Sequence, residues 1–114
     1  MDVRLLQYLK THVRDPDLTI SRLAREHGIS ERYAYLILSR QGISPADWIR
    51  TERLAGAARE LLQPATRPPS ITEIACSWGF PDQANFTRAF RREYGVSPRE
   101  YRRNHLAGPV ADYP

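Results

Sequence analysis

The chain has 114 residues, enough for one domain or two very small ones. Its hydrophobic content of 41% fits an ordinary globular core, and no apolar run approaches the roughly 18 residues that span a bilayer. A single cysteine, Cys76, excludes an internal disulfide framework, and the charged N-terminus is unlike a secretory signal. We therefore expect a cytoplasmic protein.

The charge balance favours nucleic acid as a partner. The formal net charge is +4, and of the 17 basic residues only Lys10 is a lysine. Arginine binds phosphate in a bidentate manner and reads guanine edges, so the excess suits DNA or RNA. Codon bias in a GC-rich genome would produce the same excess, so the arginine content alone decides nothing.

Capping residues, prolines and glycines predict an all-α protein of seven helices, without strands. The predicted helices run from Asp2 to about Val13, Ile20 to Glu26, Glu31 to Arg40, about Ala46 to Leu62, Ser70 to Gly79, Gln83 to Tyr94 and Pro98 to about Asn104. The first helix should bury the apolar residues Val3, Leu5, Leu6, Leu9 and Val13. The tail from Leu106 onward is expected to be frayed.

The chain carries one helix–glycine–helix pattern twice. Ile20 and Gly28 of the first copy recur as Ile71 and Gly79, at an offset of 51. The offset grows to 53 where Gly-Ile-Ser-Pro at 42–45 recurs as Gly-Val-Ser-Pro at 95–98. Two such units in a basic chain predict two helices that enter the DNA major groove. We expect helix-turn-helix subdomains at 1–44 and 64–114, joined by a long linker helix at 45–63.

The helix Gln83–Tyr94 carries the most specific candidates. Its apolar residues should form one buried stripe: Phe86, Ala89 and Phe90. The other side carries amides and arginines: Gln83, Asn85, Arg88, Arg91 and Arg92. Amides can pair with adenine and arginine with guanine. Arg88 is expected to read a base, whereas Arg91 and Arg92 are expected to contact phosphates or to be simply solvated.

The matching helix of the first copy, Glu31–Arg40, is more apolar. Its exposed start should offer Glu31, Arg32 and Tyr35. Its packed side should contain Tyr33, Ile37 and Leu38. Leu36 has two interpretations of equal weight: an apolar contact to a thymine methyl group, or an additional core residue.

The second copy has the pattern IxxIAxxxGFxDQxxFxRxFRRxYGVSPxxYR, which closely resembles the signature of the AraC/XylS family of bacterial transcription regulators. The resemblance covers roughly residues 5–103 and is most specific in the second half. In the first half it depends on Gly28, on residues 42–45 and on Trp48-Ile49-Arg50. It implies seven helices in two helix-turn-helix subdomains bridged by one long helix.

The resemblance also implies which side chains contact DNA. Base contacts carry over to Arg32, Tyr35, Leu36, Gln83, Asn85 and Arg88. Phosphate contacts are expected at Ser30, Arg40, Thr87, Arg91 and Arg92. The family usually has arginine where Leu36 stands and a large aliphatic residue where Ala34 stands, so the first helix is expected to read an unusual half-site.

The mechanism that the resemblance implies is binding of two major-groove segments about 34 Å apart on one side of the duplex. Most members then recruit RNA polymerase and activate transcription. Many carry a separate effector-binding or dimerisation domain, which we expect in the full-length protein. An excised C-terminal module is favoured over a small stand-alone regulator, and no cofactor is expected.

The two other classes of function are an enzyme and a protein-interaction module. We expect neither an enzyme nor a metal site, because His12, His27 and His105 are scattered without metal-ligand spacing. Cys76, on a short helix, is expected to be a small buried residue without a catalytic base. A helical protein-interaction module that does not read DNA specifically is the serious alternative.

Overall fold

The computed structural model describes the backbone of residues 2–64 and 66–111, and side chains as far as His105. Within these residues it contains seven α-helices and no strand, as predicted. The helices are α1 Asp2–His12, α2 Ile20–Glu26, α3 Glu31–Arg40, α4 Pro45–Leu61, α5 Ile71–Ser77, α6 Gln83–Tyr94 and α7 Pro98–Ala111.

Local capping explains why α3, α5, α6 and α7 begin at or next to the predicted residues. Ser30, Ser70 and Asp82 each accept a hydrogen bond from the backbone N–H three residues later, at 3.0, 3.0 and 2.7 Å. At α7 the bonds are reciprocal, because Glu100 N–H donates to Ser97 Oγ and Ser97 N–H donates to Glu100 Oε1, both at 3.1 Å.

The end of α7 was predicted wrongly. The helix continues from Asn104 to Ala111 instead of ending at about Asn104. No capping signal stands at Asn104, and Leu106 and Ala107 favour helix, so the backbone has no local reason to stop there. The part of the predicted frayed tail at 112–114 lies outside the described residues.

Two glycine turns set the geometry of the helix pairs α2–α3 and α5–α6. Gly28 and Gly79 have φ of +65° and +83°, a region that other residues rarely enter. After each glycine, an apolar residue donates its N–H back into the preceding helix, Ile29 to Ala24 O and Phe80 to Ala75 O, both at 3.0 Å. This is the Schellman arrangement, and it turns the chain sharply into the next helix.

By internal contacts the chain divides into two compact units, one up to Arg53 and one from Leu54 onward. The boundary lies inside α4, so the two ends of this helix pack into different cores. The three-part division at 1–44, 45–63 and 64–114 stays a prediction.

The first unit has an aliphatic core. Its buried residues are Leu5, Leu9, Leu18, Leu23, Ala24, Ala34, Ile37, Leu38 and Ile49. Arg53 fastens α4 to the connection between α1 and α2, donating from Nε to Val13 O and from Nη2 to Asp15 O, both at 2.7 Å. Burial lowers the pKa of this guanidinium from its usual value.

The second unit has a more aromatic core. Its buried residues are Leu54, Ala57, Ala58, Leu61, Ile74, Ala75, Phe86 and Phe90. Arg102 of α7 holds two backbone carbonyls, donating from Nε to Leu61 O at 3.1 Å and from Nη2 to Pro69 O at 3.0 Å. It thereby ties the end of α4 and the proline-rich loop to α7.

Three side chains that the sequence analysis expected to be buried are exposed. Val3 is 81% exposed, because Leu5 and Leu9 alone fill the buried side of α1. Tyr33 is 46% exposed, because Ala34, Ile37 and Leu38 supply the packed side of α3. Cys76 is exposed, since α5 is short and buries its preceding neighbours Ile74 and Ala75 instead.

Gly56, in the middle of α4, makes room for an aromatic ring. A Cβ atom there would lie 2.2–2.6 Å from the six-membered ring of Trp78. The indole is also fixed at its other end, because Trp78 Nε1 donates to Glu60 Oε2 at 3.1 Å. The glycine therefore serves close packing, at the cost of about 1 kcal/mol in helix propensity relative to alanine.

We predict that Gly56→Ala destabilises the second unit by about 1–3 kcal/mol, although alanine is the better helix former, because the indole must move. Denaturant unfolding followed by far-UV circular dichroism measures the change in the same way in every background. In a Trp78→Ala background the same substitution should be neutral or stabilising. Equal effects in both backgrounds would refute the steric explanation.

A second prediction concerns acid stability. The Arg22 guanidinium, 2.6 Å from Asp15 Oδ2, and the Asp17 N–H hold the pKa of the Asp15 carboxyl below its ordinary value. The ionised pair therefore stabilises the fold above the unfolded-state pKa of about 3.9, and this contribution is lost as pH falls towards the folded-state pKa.

Asp15→Asn should lower the thermal midpoint at pH 7 and leave it less changed at pH 3. Arg22→Gln should show the same pattern, because it removes the same pair. A decrease of equal size at both pH values would mean that the pair contributes nothing through its charge.

Candidate nucleic-acid interface

Helix α6 is anchored on one side and free on the other. Phe86 and Phe90 are fully buried, with ring centroids 5.6 Å apart, and Ala89 packs beside them. The three side chains of this helix that are predicted to read bases are all exposed: Gln83, Asn85 and Arg88. The predicted buried stripe is therefore confirmed, and it aims the polar side of α6 outward.

Hydrogen bonds order this polar side. Asp82 Oδ1 caps the helix and also accepts from Asn85 Nδ2 at 3.0 Å, while Arg88 Nη2 donates to Asn85 Oδ1 at 3.0 Å. At the helix start, Thr72 Oγ1 donates to Gln83 Oε1 at 2.6 Å. Side chains held in this way lose less conformational entropy when they bind.

The predicted phosphate contacts on α6 lie around this polar side. Arg91 and Arg92 are exposed and Thr87 is half-buried. Arg91 Nη2 is 3.7 Å from Glu100 Oε1. Hydrogen bonds from Ser97 lower the pKa of the Glu100 carboxyl, so Glu100 is an anion near neutral pH. In the free protein its negative charge offsets part of the positive charge of Arg91.

Helix α3 has the same design with different chemistry. Ser30 caps it, and Ala34, Ile37 and Leu38 are buried. Its exposed side carries Arg32, Tyr35, Leu36, Ser39 and Arg40. Tyr35 is 49% and Leu36 45% exposed, so Leu36 is not a core residue, and the first of its two interpretations, an exposed apolar contact, remains.

The structure aligns the two helices residue by residue. Each has a capping residue at its start, Ser30 or Asp82, and the fully buried Ala34 and Leu38 match Phe86 and Phe90 at a constant offset of 52. Leu36 therefore occupies the place that Arg88 has in α6. The same alignment pairs Tyr33 with Asn85, a signal in the sequence that would have marked Tyr33 as exposed.

An open groove of about 780 Å³ adjoins α3. It is lined by Arg32, Tyr35, Leu36, Ser39, Gly42, Ile43, Ser44 and Pro45. Most of the exposed lining is carbon, apart from the guanidinium of Arg32 and hydroxyl groups. The first unit therefore presents an apolar concavity on the side of α3 opposite its core.

The three histidines lie outside these helices and form local contacts. Each histidine has Nδ1 within 3.0 Å of the carbonyl four residues earlier: His12 with Tyr8, His27 with Leu23, and His105 with Tyr101. Among the described residues no group of three or more histidine, cysteine or acidic side chains has the geometry to hold a metal ion. No helix in the described part of the chain is long and apolar enough to cross a bilayer.

Comparison with known families decides the family. Residues 23–104 match the model of a helix-turn-helix domain of the AraC type. The chain belongs to this family. Its AraC-type members are DNA-binding transcription regulators, which confirms the resemblance found in the sequence.

Individual relatives support this family assignment. The transcriptional activator NphR of a Rhodococcus species is 31% identical over 102 residues, which cover 90% of this chain but 30% of NphR. The chain thus spans about a third of the length of this relative. Among solved structures, the C-terminal domain of AraT, a response regulator from Geobacillus stearothermophilus, is 33% identical with a TM-score of 0.82, covering 90% of this chain and 84% of that one.

A DNA complex is among the similar structures. The DNA-binding domain of AdpA, a global transcriptional factor, was solved with a target DNA; it is 25% identical with a TM-score of 0.78, covering 98% of this chain and 97% of that one. The AraC-type fold shared by the two chains is therefore one that is compatible with DNA binding.

Proposed function

We propose that this AraC-type domain binds double-stranded DNA sequence-specifically, with α3 and α6 as its two major-groove helices. The observation that carries the proposal is the ordered polar side of α6, where Asp82, Asn85 and Arg88 are joined by hydrogen bonds opposite the buried Phe86 and Phe90. An arginine held in place on an exposed helix is suited to the O6 and N7 acceptors of guanine.

Within this polar side the three candidates have different tasks. Arg88 reads a guanine, and Gln83, whose amide oxygen is fixed by Thr72, reads an adjacent base edge. Asn85 has its oxygen on Arg88 and its nitrogen on Asp82, so in the free protein it orients Arg88. It reads adenine only by exchanging one of these bonds for a base contact.

Phosphate contacts surround both helices. In the first unit they come from Ser30 and Arg40, and in the second from Thr87, Arg91 and Arg92. Phosphate contacts fix the position of a protein on the duplex without carrying sequence information. Arg91 would leave Glu100 to reach a phosphate, which is a cheap exchange because both side chains are exposed.

For the whole protein, we propose a cytoplasmic transcription activator that recruits RNA polymerase after binding. NphR is described as an activator, and this chain matches about a third of it. The remaining length of such relatives is the basis for proposing a separate effector-binding or dimerisation domain. The chemistry required is recognition alone, without catalysis or cofactor.

The alternative is a helical protein-interaction module. It is favoured by the exposed apolar side chains of α3, because Tyr33, Tyr35 and Leu36 are each nearly half exposed. Clustered exposed apolar residues are typical of protein-binding surfaces. The arginines of α6 favour DNA instead, and salt dependence separates the two.

We expect binding to a duplex to weaken steeply with salt, by about 10³–10⁵ between 50 and 200 mM if 6–10 phosphates are contacted. Fluorescence anisotropy with a labelled duplex selected from a random pool measures this dependence. An apolar protein interface would respond little to salt. No affinity for any duplex at low ionic strength would refute the proposed function.

Arg88→Ala should weaken specific binding by about 1–3 kcal/mol and relax the preference at one base pair. Arg4→Ala makes the same change of charge at an exposed position of α1. It is the matched control and should leave that preference unchanged. If Arg88→Ala weakens all sequences equally, Arg88 contacts a phosphate and reads no base.

A further inference from the structure

One pair of equivalent positions in the two reading helices carries opposite chemistry. Because Ala34 and Leu38 of α3 occupy the buried places of Phe86 and Phe90, Leu36 stands where α6 has Arg88. The guanidinium of Arg88 has several hydrogen-bond donors, whereas the isobutyl group of Leu36 has neither donors nor acceptors. The equivalent position therefore offers a hydrogen-bonding group on α6 and an apolar group on α3.

We propose that α3 recognises the C5-methyl group of thymine through Leu36, with Tyr35 beside it on the same groove. This proposal depends on the proposed function and names the base class of its first half-site. The thymine methyl is the apolar group that a base pair presents in the major groove, so it is the natural partner of a side chain without polar atoms.

The surroundings of Leu36 suit a methyl group. Leu36 and Tyr35 line the groove beside α3 together with Ile43 and Pro45. A methyl that enters this groove leaves water for carbon contacts. Arg32, on the same groove, supplies a positive charge for the neighbouring phosphates or a base edge.

Basic charge on the same helix favours DNA over an apolar protein partner. Arg32 and Arg40 are both exposed and flank the apolar side chains along α3. The interfaces of proteins with DNA are strongly positive, whereas charged residues are depleted at the core of protein–protein interfaces. The occupant is therefore a thymine-bearing duplex.

The test removes the methyl group and nothing else. In a duplex selected from a random pool, each thymine of the first half-site is replaced in turn by uracil, which lacks only the C5-methyl. At one or two positions the wild-type domain should bind about three- to fivefold more weakly, the size expected for one methyl leaving an apolar contact. Equal affinity for thymine and uracil at every position would overturn the proposal.

Variants assign the effect to Leu36. Leu36→Ala should bind the thymine duplex more weakly and no longer distinguish thymine from uracil at the same position. Leu36→Arg, which copies α6, should shift the preference there towards guanine. Leu36 is exposed, so neither change should disturb folding, and a circular-dichroism melt checks this.

Controls separate the possible failures. Val3→Ala removes an exposed apolar side chain from α1 and should leave the discrimination of uracil intact. If Leu36→Ala still discriminates uracil, the contact belongs to another residue and the proposal fails. Failure of the methyl test with salt-sensitive, specific binding preserved leaves the proposed function standing, whereas loss of all duplex binding removes both.

Discussion

Burial of one side of α6 is the constraint on which the reading surface depends. Phe86 and Phe90 lie four residues apart, so they project from one side of the helix, and both are fully buried. Phe90 also stacks on Tyr94 at 4.4 Å and meets Tyr101 edge-on at 5.2 Å. With these rings fixed, the helix cannot rotate, and Arg88 has no direction available except outward.

The first unit meets the same constraint with smaller side chains. Ala34 and Leu38 replace two phenylalanines, and Ile37 fills the space beside them. Because these three already complete the packed side of α3, the exposure of Leu36 is a property of the helix orientation and not a defect of packing. An apolar side chain left outside a complete core is available for binding, so in the proposed interface the two helices offer different chemistry to DNA.

The sequence predicted what local chemistry determines. Ser70, Asp82 and Ser97 predict the starts of their helices, and the structure places each start within a residue or two of the prediction. It did not predict the exposure of Cys76 or the role of Gly56, since both depend on which element lies opposite. For the interface, the candidate side chains could be predicted from the sequence. The exposure of Leu36 became clear only from the structure.

The arginine excess overstates the size of the DNA surface. Arg53 and Arg102 each use two guanidinium nitrogens on backbone carbonyls, where they hold chain connections in place. Arg22, on α2, is paired with Asp15 at 2.6 Å. A planar guanidinium with fixed donors suits carbonyl pairs as well as phosphates, so one residue type serves stability and recognition. The total charge therefore indicates the class of partner, and the contacts of each arginine show which arginines are available to bind that partner.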